Sequence, residues 1–173
     1  LNAVTTAIFG KKQPTAQELS RELAEDSTAP AYRFVYGETR ATGTPVGRTV
    51  VGKYIYGCWL LNSRVSDLGS FTLSLDKREI ILTGDAFDFS GSGAQATNDP
   101  FTGHVSVWLG RGDQTAPPDV FTSEAAYVAS TKEDGWKATD AWRGRTTIWL
   151  RLHAGHPNQR QMRWPSTPPL VEV

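Results

Sequence analysis

HVSVWLGRGDQTAPPDVFTSEAAYVASTKEDGWKATDAWRGRTTIWLRL, residues 104–152, decides how the rest of the chain is read. It opens with a run, 104–109, that alternates small or polar residues with apolar ones and stops at Gly110. It closes with a second run, 146–152. There Ile148, Leu150 and Leu152 share one face, and Trp149 and Arg151 share the other. Period-two alternation marks a strand with one face turned to a core. The two runs predict strands that belong together, and the stretch between them predicts a large surface loop tethered at both ends.

Outward from this stretch the same period recurs. Phe71, Leu73 and Leu75 alternate with Thr72 and Ser74, Asp76-Lys77 gives a short turn, and residues 79–83 answer with Ile80, Ile81 and Leu82. That pattern predicts a hairpin. Residues 48–61 form a long β-rich run in which Gly52 and Gly57 are read as bulge or bend sites. Residues 32–36 predict a strand stopped by Gly37, 40–47 a turn, and 159–164 a further strand. The small polar residues 88–100 read as a flexible loop. One helix is expected, at 15–26: Pro14 precedes it, Thr15 and Glu18 fit a capping box, and Leu19 and Leu23 share a narrow apolar stripe. The fold class is mainly β, an antiparallel sandwich or barrel-like domain with one short N-terminal helix and long loops. Residues 1–31 are read as tether and helix, and 32–173 as the β-rich region. The start at Leu1 and the strand-like finish at 170–173 lead us to expect part of a longer chain.

Composition narrows the function. Apolar residues are 39% of the chain, below the roughly 45–50% of an average globular domain, which predicts long loops or partner-facing surface. The 18 basic and 18 acidic residues cancel, so there is no electrostatic case for nucleic acid or an anionic membrane. No apolar run is long enough to cross a bilayer as a helix. The single cysteine, Cys58, excludes an internal disulfide and sits among Tyr56, Trp59 and Leu60 as a small buried hydrophobe.

No motif assembles a catalytic, cofactor or metal set. Arg111-Gly112-Asp113 spells an adhesive tripeptide but continues into a longer turn, where Asp113 is expected to accept backbone N–H bonds. His153 and His156 have a chelating spacing, but Gly155 and Pro157 argue against the helix it needs. Asp85 and Asp88 read as solvated loop carboxylates, and Ser90 and Ser92 lack a nucleophile-elbow context. Six tryptophans are unusual. Trp136 and Trp142, with Arg143 able to stack on a ring and donate hydrogen bonds, fit either an interface or a local core beneath a loop. We expect Trp142-Arg143-Gly144 to fix the return of the loop: Trp142 buried, Gly144 at a positive φ, Arg143 bonded to loop carbonyls or to Asp113 or Asp140.

Two blocks resemble the central tail hub, or tail tip host-specificity protein, of long-tailed bacteriophages and gene transfer agents. The first is Phe34-Val35-Tyr36-Gly37-Glu38-Thr39-Arg40 with Gly43 following. The second is Leu109-Gly110-Arg111-Gly112-Asp113-Gln114-Thr115, then Trp136, Trp142-Arg143-Gly144 and the strand 147–152 bearing Trp149. The resemblance spans most of residues 32–173. It implies a homotrimeric ring in the virion at the distal end of the tail, below the ring of distal tail protein and beside other tail-tip proteins. Host contact would be made by regions outside this chain. It implies no cofactor and no specific nucleic-acid binding. A carbohydrate-binding β-sandwich and a tail-associated cell-wall hydrolase are the alternatives. Exposed coplanar tryptophans would favour the first, and paired acids or a His-metal cluster in one cleft the second.

Overall fold

The computed structural model describes residues 34–35, 37, 39–126, 135–156, 163–165 and 169–173. The expected helix at 15–26, Tyr36 and residues 159–162 lie outside the described residues.

The described residues form two antiparallel sheets. Strand β1, Thr44–Val51, pairs with β2, Tyr54–Asn62, around a turn in which Gly52 has φ 58°. β2 pairs with β8, Thr146–His153, and β8 with β7, Val105–Gly110. β6, Ala94–Ala96, and β5, Leu82–Thr83, complete a six-stranded sheet of order β1-β2-β8-β7-β6-β5. The second sheet has three strands: β4, Arg78–Ile80; β3, Leu73–Leu75; and β9, Val171–Glu172, with β3 in the middle.

The central strands β2, β8 and β7 are buried on both faces, and the register explains which side chain goes where. Trp59, Ile148 and Leu109 lie opposite one another across the three strands, as do Cys58, Trp149 and Trp108 on the neighbouring row. Successive residues point to opposite faces. The first row therefore joins Leu73, Leu75, Ile80 and Val171 of the small sheet in one core, closed at its end by Phe101 and Trp164. The second row joins Tyr56, Phe121, Ala125 and Trp136 in another. Burying each large aliphatic side chain contributes about 1.5–3 kcal/mol, so a strand apolar on one face only could not support both layers.

The second core is covered by a helix the sequence did not announce. α1, Asp119–Glu124, follows Pro117-Pro118 and holds Phe121 fully buried. The ring of Phe121 meets Tyr56, Trp108, Trp136 and Trp149 edge-on at centroid distances of 5.4, 5.7, 5.4 and 5.2 Å. Edge-to-face contacts match the positive ring edge to the negative face.

The expected hairpin is present, with a change. Asp76 (φ 51°) and Lys77 (φ 64°) form its two-residue turn, and Leu75 opposes Arg78. Positive φ at both central residues matches the right-handed twist of the strands. The second arm, however, is not one strand. It divides at the exposed Ile81 and crosses from the small sheet, as β4, to the large one, as β5. Residues 88–100 are likewise not simply loop, because they contain β6. Ala-Gln-Ala has no β-propensity to announce it. The glycines before it make a floor for Trp108: a Cβ on Gly93 would strike that indole, whose Nε1 donates to the Gly91 carbonyl at 3.2 Å. Gly57 is not a bend. It pairs regularly with Arg48 and Leu150, and the Trp59 ring lies where its Cβ would be. The bulges fall instead between Pro45 and Gly47 and between Leu60 and Asn62. The last residues do have a partner here, since β9 pairs with β3 on one side and bonds to Ala41 and Gly43 on the other.

Candidate functional site

The connection from β7 to β8 is pinned at its base by one side chain. Gln114 Oε1 accepts the Gly112 N–H at 2.7 Å, and Nε2 donates to the carbonyls of Trp142 (3.2 Å) and Arg145 (3.1 Å). A primary amide has one acceptor and two donors, so a single glutamine can tie the outgoing and returning arms together. Gly110 makes room for it: a Cβ there would lie 2.8 Å from the Gln114 amide and from Thr147 Oγ1. Gly112 (φ 112°) packs against Val65, and its carbonyl accepts the Gly144 N–H at 2.7 Å.

This geometry both supports and corrects the expected return of the loop. Gly144 does take a positive φ, 75°, but so does Trp142, at 50°. Trp142 is half-buried rather than buried, and the guanidinium over its ring belongs to Arg145, 5.5 Å from the centroid. Arg143 is exposed and donates to the Thr115 carbonyl at 3.2 Å, so it takes the carbonyl alternative and neither aspartate. Asp140 instead accepts the Lys137 N–H, in a turn of its own. Asp113 is exposed, and the turn-closing role expected of it belongs to its neighbour Gln114. The adhesive tripeptide is not displayed, because Gly112 is buried and the Arg111 guanidinium sits 3.9 Å over the Phe87 ring.

Trp136 and Trp149 are core residues, stacked edge-on at 5.1 Å. A Cβ on Gly47 would meet the Trp136 ring, so that glycine lets the loop tryptophan close over β1. Trp59, Trp108 and Trp164 are buried as well. The tryptophans thus form no exposed coplanar platform.

The two blocks of the resemblance meet across residues 62–66. Asn62 Nδ2 donates to the Val35 carbonyl at 3.3 Å on one side. On the other, the Ser66 N–H donates to the Arg111 carbonyl at 3.0 Å and Thr146 Oγ1 to the Arg64 carbonyl at 2.7 Å. Phe34 lies under the Arg64 guanidinium, 5.0 Å from its ring centroid. Exposed Gly37 (φ 70°) and Arg40 line a cleft of about 1130 Å³ with Leu68, Phe71 and Glu172.

Asp85 and Asp88 close turns, and Cys58 and Tyr56 are buried. Asp85 accepts the Phe87 N–H, and Asp88 accepts both the N–H and the hydroxyl of Ser90, which hold its carboxyl below its usual range. Burial pushes the Cys58 thiol well up. Burial and a hydrogen bond to Glu124 push the Tyr56 phenol up. Among the described residues no three His, Cys, Asp or Glu side chains cluster to hold a metal. One pairing escaped the sequence reading. His104 and His153, separated by the whole loop, bring their Nδ1 atoms to 3.1 Å. The register of β7 and β8, which alternation alone does not give, creates it.

No family model, curated protein or solved structure matches the chain.

Proposed function

We propose that the chain is a structural part of the trimeric hub at the distal end of a phage tail, closing the tube and linking it to host-recognition parts. The observation carrying this reading is the meeting of the two hub-like blocks across residues 62–66, where each is hydrogen-bonded to the same short segment. Motif residues far apart in sequence, around 34–40 and 110–147, then act as one unit. A ring-building role further needs surface for a second subunit. The outer edge of β1 belongs to no strand pair among the described residues, and Val50 and Val51 beside it are exposed. An open strand edge is a template for pairing with another chain.

The test is direct. Tailed particles purified from the producing strain should contain this chain, at three copies per particle, in density at the distal tip. Deleting its coding region should stop assembly before the tail tube grows. Particles that lack the chain, or that assemble normally after the deletion, would overturn the reading.

A further inference from the structure

We propose that the His104–His153 pair is an acid-operated latch that holds the segment bearing Arg163 and Trp164 against the end of the sandwich. The rings are parallel to within 6° with centroids 5.2 Å apart, while their Nδ1 atoms approach to 3.1 Å. Parallel rings at that separation with nitrogens so close meet edge to edge, in an N–H···N hydrogen bond. Such a bond has one donor and one acceptor. A neutral imidazole offers one of each, whereas an imidazolium offers donors only. The pair therefore tolerates no added proton, or one, but not two. With both rings charged, two N–H groups face each other and two positive charges adjoin.

The surroundings make the doubly charged state costlier. The Tyr54 ring lies against His153, tilted by 31° with centroids 4.6 Å apart, and the charges facing the pair are those of Lys53 in the β1–β2 turn, Arg151 on β8 and Arg163. Arg151 is shared with Glu124, at 3.5 Å. Burial, then Arg163 and His153, lower the pKa of His104 from its ordinary 6.5. Burial, then Lys53, Arg163 and Arg151, lower that of His153. Both folded values lie below the ordinary one. The latch is therefore at full strength above about pH 6.5 and weakens as pH falls through the lowered values.

What it holds is visible in the bonding. The His153 N–H donates to the His104 carbonyl at 2.8 Å and the Ala154 N–H to the Lys53 carbonyl at 2.8 Å. Trp164 Nε1 donates to the His153 carbonyl at 3.1 Å, and Arg163 Nε to the Pro100 carbonyl at 2.6 Å. Trp164 in turn covers Phe101, the end of the inter-sheet core. Separating the imidazoles pulls on each of these.

Hydrogen exchange on the full 173-residue chain reads the latch. After correction for intrinsic exchange, protection of the His153 and Ala154 amides and of the Trp164 indole should hold down to about pH 6.5 and fall below it. The loss should approach tenfold per pH unit where the opened pair holds one proton more than the closed pair. The amides of Trp108 and Trp149 should keep their protection. His104→Asn, which cannot charge, should flatten the response. Lys53→Gln, at an exposed position, should shrink it while leaving both imidazoles in place. Protection at these sites that does not change with pH, or an unaltered acid response in both variants, would overturn the latch.

Discussion

Gln114 shows how much of a loop can depend on one amide. Its three bonds close the Gly112-Asp113-Gln114 turn and capture two carbonyls of the returning arm. One of those carbonyls belongs to Trp142, whose positive φ costs a residue with a Cβ about 1–2 kcal/mol. A strained residue persists where its neighbours over-determine it, and Gln114 is one such neighbour. Gln114→Ala should therefore destabilise the protein by about 2–3 kcal/mol, the cost of leaving part-buried partners unpaired. Gln114→Glu should be worse than alanine at neutral pH, because an ionised carboxylate would face two carbonyls with no donor to offer. Denaturant unfolding of the two variants separates them. Equal stability to the parent in both would mean the arms are held by something else.

At the scale of elements, α1 and the aromatic cluster decide whether the second face of the large sheet stays dry. Phe121→Ala removes the ring that Tyr56, Trp108, Trp136 and Trp149 surround, and should cost about 3–5 kcal/mol. Near-ultraviolet circular dichroism should lose much of its intensity, since three indoles lose their common neighbour. Phe121→Leu should cost less, because it keeps much of the volume. A Phe121→Ala protein that melts with the parent would mean the helix is a passive cover. The strands were legible in the sequence because alternation survives in Leu73–Leu75 and Thr146–His153. The helix was not, because Asp119–Glu124 is too short to repeat an apolar stripe and only tertiary packing fixes it. Ala94–Ala96 was missed for the same reason, being a strand specified by its neighbours on both sides. The candidate site divides in the same way. Gly110 and Gly144 stood out as local turn chemistry, whereas the turn-closing role expected of Asp113 belongs to Gln114. The burial of Trp136 and Trp149, and the His104–His153 contact, depend on register and on which face a loop covers.

For the whole molecule, the low apolar content and the Trp- and Arg-bearing loop lead us to expect neighbouring subunits over part of residues 104–152; the chain buries Trp136 and Trp149 by itself, while Trp142 is half-buried and Arg143 exposed. The edge of β1 offers a further surface for a ring contact. It is eight residues long, carries Val50 and Val51 at 64% and 40% exposure, and ends the six-stranded sheet. On the hub reading, Val50→Lys with Val51→Lys should abolish trimer formation. Lysine on an edge strand deters pairing through the cost of desolvating its charge. The monomer itself should change by no more than about 0.5 kcal/mol, as exposed substitutions usually do. Sedimentation at micromolar concentration and denaturant unfolding, run on the same preparations, separate the two effects. A double variant that sediments as the parent trimer would move the interface elsewhere. A parent that stays monomeric both in solution and in the particle would remove the reason for a ring at all.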